Sequence, residues 1–137
     1  MSCLFCSIIA GDAGAHVVLD EPDVLAILDI HPVFKGHVLV LPKPHVVTLP
    51  ELPADQLAPL FGAVQRVGAA IQSGLCADGH WVAINNIVSQ AVPHLHVHVV
   101  PRRRKDGLRG FFWPREKYSD DAEMAAYATA ISDVFSR

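Results

Sequence analysis

Apolar and polar residues alternate most regularly late in the chain, where Leu95, Val97 and Val99 interleave with His94, His96 and His98. A period of two marks a strand with one buried face. Leu95, Val97 and Val99 are therefore expected to face a core and the three histidines the other side. Shorter apolar runs at 16–19, 24–30, 37–41 and 81–85 read as further strands, and the third follows Gly36 and stops at Pro42, which cannot donate to a ladder. Between Pro53 and Ser73 the period changes. Leu57, Leu60, Phe61, Val64, Val67 and Ile71 recur at steps of three and four, which predicts a helix with one buried face and Gly74 as its cap. Pro59 is expected to disturb the first turns of that helix by removing one intrahelical bond. A short turn or helical piece over 3–9, ended by Gly11-Asp12, opens the chain. Near its end Asp120 and Glu123 have capping-box spacing ahead of an apolar stripe of Met124, Tyr127, Ala128, Ile131, Val134 and Phe135.

Strands, helix, strands, helix predict an α+β fold on a mainly antiparallel sheet, with a long central helix and a C-terminal helix. The 137 residues, 51% of them hydrophobic, fit one domain over 1–137 with its core in about 3–101. A basic and aromatic loop and the last helix then fill 102–137. Eleven Lys and Arg against fourteen Asp and Glu leave a formal charge of −3, so there is no basic excess to hold nucleic acid or an anionic membrane. No apolar run approaches the ~20 residues that a spanning helix needs, and Met1-Ser2-Cys3 does not begin a secretory signal. The expected compartment is the cytoplasm, which also suits three cysteines that make no even disulfide framework.

Histidine changes the picture most. The chain has eight, and on a strand His94, His96 and His98 would stand in a row about 6.6 Å apart. A single buried histidine is most often satisfied by backbone or water; three at strict alternation point to chemistry. Close imidazoles oppose each other's protonation, which keeps at least one neutral near neutral pH. A neutral imidazole can attack phosphorus and split one displacement into two through a covalent intermediate. Cys3-x-x-Cys6 is either a redox pair or half of a tetrahedral zinc site, and its place at the very start of the chain disfavours the redox reading. Cys76, alone after the helix, reads as a small residue without a ligand role. The run Arg102 to Lys105, with Arg109, Arg115 and Lys117 around Phe111, Phe112 and Trp113, is open between a cationic stacking patch and a solvated loop.

The segment His94-Leu95-His96-Val97-His98-Val99-Val100 resembles, at all seven positions, the signature of the histidine-triad nucleotide hydrolases and transferases. Leu28-Asp29-Ile30-His31-Pro32 and Gly36-His37 through Pro44-His45 resemble the strands that precede it in that family, and Gln90-Ala91-Val92-Pro93 its approach to the triad. The resemblance covers roughly residues 3 to 101. It implies His96 as nucleophile on a nucleotide's α-phosphorus, His98 on the phosphate oxygens, His37 as the histidine supporting the nucleophile, and Gln90 along the phosphate. It places Asp29 on the ribose hydroxyls, Ile30 in an apolar base cleft and Asn85 on the phosphate. Ala91 stands where the family carries a hydroxyl, with Ser89 as the candidate replacement, and Asn85 to Gln90 is shorter than usual and lacks glycine. Family members with an N-terminal Cys-x-x-Cys complete a structural zinc site with the histidine of Pro-Lys-x-His and the first triad histidine, here His45 and His94 beside Cys3 and Cys6. No cofactor is implied for the chemistry itself. The implied substrates are adenosine or guanosine phosphoramidates, dinucleoside polyphosphates or adenosine phosphosulfate, the implied assembly is a two-fold homodimer, and the loop after residue 101 becomes a candidate selector of substrate. The alternative function is a nucleotide-binding or scaffold protein with weak turnover.

Overall fold

The computed structural model describes residues 3–109 and 114–136. They divide into two compact units, one ending at Asp106 and one beginning at Gly107. In the first, helix α1 (Leu4–Ala10) leads to strands β1 (Val17–Asp20), β2 (Val24–Leu28) and β3 (Val38–Pro42), helix α2 (Leu57–Leu75), and strands β4 (Gly79–Ala83) and β5 (Val97–Arg102). The strands form one antiparallel sheet in the order β1-β2-β3-β5-β4, as the alternation of strand and helix patterns predicts.

Both faces of the sheet centre are buried, and this decides where a site can form. Val24 and Ala26 of β2, Val38 and Val40 of β3 and Val97 and Val99 of β5 pack against Leu60, Ala63, Val64, Val67 and Ile71 of α2. Leu25, Ile27, Leu39 and Leu41 point the other way, where Phe5 of α1 covers them. Gly36 turns the chain into β3 with φ +96, a left-handed conformation that an L side chain resists, and a Cβ there would also collide with Leu75.

Several sequence boundaries move. Only His98 of the three histidines belongs to a hydrogen-bonded strand, because the Leu95 N–H goes to Val46 O and the His94 N–H to Val92 O. The alternation of sides survives: Leu95, Val97 and Val99 are all buried in the core beneath α2. β2 ends at Leu28, two residues before its apolar run does, and β4 begins at Gly79 and ends at Ala83. Pro59 does not disturb α2, since it falls in the first turn, where the backbone N–H has no intrahelical partner to lose. A 3₁₀ turn at Ala54–Gln56 precedes that helix, and Cys76 rather than Gly74 ends it, exposed and left-handed at φ 52.

The second unit holds helix α3 (Asp121–Ser132) and a 3₁₀ turn over Asp133–Ser136. The N-cap half of the expected capping box is present, with Asp120 accepting the Glu123 N–H at 2.8 Å, while Glu123 reaches one residue past the cap and accepts the Ser119 N–H at 2.9 Å. The apolar stripe is not covered, for Met124, Tyr127 and Ile131 are all about half exposed or more. Phe111, Phe112 and Trp113 lie outside the described residues. The basic run is partly structural: Arg102 forks onto the Asp106 carboxylate at 2.6 and 3.1 Å, and Arg103 donates to Leu75 O at the end of α2 at 2.8 Å. No helix among the described residues is long and apolar enough to cross a membrane.

Candidate functional site

Where α1 crosses the sheet, a cleft of about 400 Å³ opens between Leu4, Phe5 and Ile8 on one side and Asp29, Ile30 and His31 on the other. His96 and His98 line it, together with Ala91 and Val92. His96 is buried, and its Nδ1 lies 2.7 Å from His94 O. A carbonyl only accepts, so Nδ1 carries the proton and Nε2 keeps an unshared pair. That is the nucleophilic tautomer, fixed by the backbone of the neighbouring histidine.

His37 and His98 have their protons fixed by the backbone as well. The Val33 N–H donates to His37 Nδ1 at 3.1 Å, so the His37 proton sits on Nε2. His37 Nε2 donates in turn to His98 Nδ1 at 2.9 Å, and the His98 proton is therefore on Nε2, a buried atom with no partner among the described residues. A buried donor left unpaired is costly, and a phosphate oxygen would satisfy it. Burial, then the rings of His96 and His37, push the His98 pKa down to about 4, so that it donates as a neutral imidazole near pH 7. Burial lowers His37 as well, opposed by the nearby Asp29 carboxylate. Asp29 accepts the His31 N–H through Oδ1 at 2.8 Å and places Oδ2 3.6 Å from His37 Nε2.

At the other end of the histidine row, Cys3, Cys6, His45 and His94 bring four ligand atoms within 4.8 Å of one another. Four of the separations are 3.5 Å (Cys3 Sγ to His94 Nδ1), 3.6 Å (Cys6 Sγ to His94 Nδ1), 3.3 Å (Cys6 Sγ to His45 Nδ1) and 3.1 Å (His45 Nδ1 to His94 Nδ1). A tetrahedron of N and S ligands about zinc has edges of roughly 3.3–3.8 Å, close to these values. His94 Nε2 donates to Pro42 O at 2.7 Å, which leaves Nδ1 free of a proton and turned to the cluster. Burial and the neighbouring Cys3 push the Cys6 thiol up, an effect that a bound dication would reverse. The cluster could hold a metal ion.

Of the residues expected at the site, Asp29, Ile30, His96 and His98 meet in the cleft, with His37 against His98. Asn85 and Ser89 do not line it; both are exposed in a loop that turns without glycine by placing Ile87 and Ser89 at φ 72 and 61. Gln90, expected along the phosphate, donates instead to Val47 O at 2.6 Å and accepts the Ile87 N–H at 3.0 Å, so its amide holds the loop. Sequence reasoning missed Phe5 and Ile8 as walls of the cleft, although the apolar residues that follow Cys3 carried a signal. The Val33 N–H was not readable at all, being backbone.

The chain is 35% identical over 134 residues to the adenosine 5'-monophosphoramidase hnt1 of Schizosaccharomyces pombe, covering 96% of this chain and 97% of that one. It superposes on the crystal structure of SMU.412c from Streptococcus mutans with a TM-score of 0.87 at 38% identity, over 98% of this chain and 85% of that one. A zinc-bound histidine triad family protein from Mycobacterium smegmatis matches at 40% identity and a TM-score of 0.75, over 97% of this chain and 98% of the other. The family model of the HIT domain matches residues 10–105, a span that holds the sheet, the cleft histidines and two of the four ligands of the thiol cluster, and with it the chain is placed as a member of the HIT family.

Proposed function

We propose that this protein is a nucleotidyl hydrolase or transferase acting at the α-phosphate of purine nucleoside phosphoramidates, dinucleoside polyphosphates or adenosine phosphosulfate. The observation that carries the reading is the pair of fixed tautomers: His96 with its Nδ1 proton on His94 O and a free Nε2, beside His98 with a free Nε2–H. His96 Nε2 attacks the α-phosphorus and the leaving group departs with the electrons of its P–N or P–O bond, giving a nucleotidyl-His96. His98 donates to a non-bridging phosphate oxygen as charge develops there. Water or phosphate then displaces the nucleotide and restores His96. Asp29 accepts the ribose hydroxyls and Ile30 lies along the base. Gln90 keeps the loop before the triad in place, and Asn85 and Ser89 act only if that loop closes over the phosphate.

Zinc on Cys3, Cys6, His45 and His94 is part of this reading; it would tie the N-terminus to the catalytic segment and supply no step of the reaction. The relative named a monophosphoramidase supports an adenosine substrate, and the edge position of β4 supports two-fold pairing with a second copy. The proposed compartment is the cytoplasm.

The test uses an adenosine phosphoramidate labelled on phosphorus. A burst of amine release and a labelled, acid-labile adduct on His96 are expected, and His96→Ala should lose turnover by at least about a thousandfold while nucleotide affinity stays within about tenfold. Near-normal kcat in His96→Ala ends the mechanism, and binding without a burst in the wild type returns the protein to a nucleotide-binding role.

A further inference from the structure

Phe5 lies between Cys3 and Cys6 in the chain and is 4% exposed. Its ring meets two others edge to face: His94 at 5.9 Å between centroids and 77°, and His96 at 5.0 Å and 84°. One of those imidazoles belongs to the thiol cluster and the other is the attacking group. Phe5 also lines the cleft and rests on Leu25, Ile27, Leu39 and Leu41 of the sheet.

The torsion that turns an imidazole about its own axis is broad, so one hydrogen bond at Nδ1 sets the tautomer of His96 more firmly than the plane of its ring. Attack on phosphorus needs that plane, because the Nε2 pair lies in it and must point at the reacting atom. Among the described residues, two rings flank the proposed nucleophile, His98 at 5.0 Å and 61° and Phe5 at the steeper angle. His98 is committed to His37 and to the phosphate, which leaves Phe5 as the neighbour whose only contribution is shape and quadrupole. Phe5 lies two residues after Cys3 and one before Cys6, so the same turn of chain carries the ring and both thiols.

We infer that Phe5 is a positioning residue for His96: it holds the imidazole plane so that Nε2 faces the phosphorus, and it passes the geometry of the Cys3, Cys6, His45 and His94 cluster on to the nucleophile. The inference rests on the nucleotidyl-transfer reading for its kinetic consequence, but not for its structural one.

The test takes the full chain as purified with its metal, labelled with 15N-histidine, and reads the His96 ring by long-range proton–nitrogen correlation at neutral pH. The wild type should show one set of signals, Nδ1 protonated and Nε2 bare. Phe5→Leu should broaden or mix those signals and lower kcat roughly 2- to 12-fold, the range that the loss of one edge-to-face pair corresponds to, separately from any change in KM. Ile9→Ala is the structural control: Ile9 packs on the same cluster around Phe5 but does not line the cleft, so it should lower the melting temperature and leave the His96 signals and kcat as they are. A second measurement needs no variant. Chelation of the metal from the wild type should disturb the His96 signals in the same way as Phe5→Leu.

Unchanged His96 signals and kcat in folded Phe5→Leu overturn the positioning role, as does an equal disturbance in Ile9→Ala. Unchanged signals in the metal-free wild type overturn the link to the cluster. A wild type with the ordered tautomer and no turnover would refute the transfer reading, and the nitrogen spectra of the variants would still decide for or against Phe5.

Discussion

Two groups of ligating side chains flank His96, and by proximity alone they look alike. Cys3, Cys6, His45 and His94 lie within 4.8 Å of one another, and so do Asp29, His37 and His98. Two histidines and a carboxylate are also a metal-binding set. What separates the two groups is where the backbone puts the protons. Pro42 O accepts from His94 Nε2 and so turns a bare Nδ1 into the first cluster. The Val33 N–H does the opposite to His37: it occupies the bare nitrogen and sends the proton inward, toward Asp29 and His98. A metal on His37 Nε2 would require that proton to leave and the Val33 bond to break. The first group therefore presents unprotonated nitrogens and thiols that suit a cation, the second presents N–H donors that suit the anion of the proposed reaction, and His96, the proposed nucleophile, lies between them.

The largest expected effect comes from removing the first group. Cys3→Ser with Cys6→Ser should reduce bound zinc from about one per chain to none, with a loss of stability on the order of several kcal/mol, because structural zinc contributes its binding free energy to folding. Turnover should weaken and persist, since no step of the reaction runs through the metal. Metal analysis and thermal melts of chelator-free protein check this. Two metals per chain in the wild type, or one surviving in the double variant, would mean that the Asp29, His37 and His98 set also binds a cation, and the contrast between the groups would collapse.

Half of the first group, Cys3 and Cys6, was legible from spacing and residue type, while His45 and His94 came with the family resemblance; the histidine row was legible because a period of two puts alternate residues on opposite sides. The proton positions were not. They depend on Pro42 O, His94 O and the Val33 N–H, backbone atoms that every residue possesses, and on the turn that brings Val33 to His37. The Gln90 contact was hidden for a related reason, since its amide finds Val47 O, a partner 43 residues away that no local pattern announces. The two long helices show the same limit at the level of the fold. Both carry apolar stripes, yet α2 buries Leu60, Val64 and Val67 on the sheet whereas Met124, Tyr127 and Ile131 of α3 remain exposed. A stripe predicts a face; what covers it is a tertiary fact.

A smaller effect sharpens the anion side of the comparison. Asp29 already accepts the His31 N–H through Oδ1, and a carboxylate has acceptor sites left for two ribose hydroxyls. Losing one hydroxyl leaves an acceptor unpaired at a cost of about 1–3 kcal/mol, so ribonucleotides should exceed 2'-deoxyribonucleotides by roughly ten- to a hundredfold in kcat/KM. Asp29→Asn keeps an acceptor for His31 and sets an amide N–H against the His37 Nε2–H, two donors face to face. It should narrow the sugar preference more than it slows the deoxy substrate. Equal rates on both sugars in the wild type would remove Asp29 from the ribose.

The last effect is a pH dependence. His98 has its folded pKa pushed down to about 4, first by burial and then by His96 and His37, against 6.5 for the free side chain. Between those values the unfolded chain takes up a proton that the folded protein refuses, so this group costs nothing above about pH 6.5, destabilises increasingly as pH falls toward 4, and adds no further loss below that. His37, lowered chiefly by burial with Asp29 opposing, acts in the same direction. His98→Asn retains an N–H donor and cannot titrate. Its melting temperature should therefore fall less than that of the wild type between about pH 6.5 and pH 4, while the two run in parallel from about pH 7 to pH 8. Parallel curves through the acid range would show that His98 charges as easily in the folded protein as in the unfolded chain, and that the histidine beside the nucleophile is not held as the neutral donor on which anion binding depends.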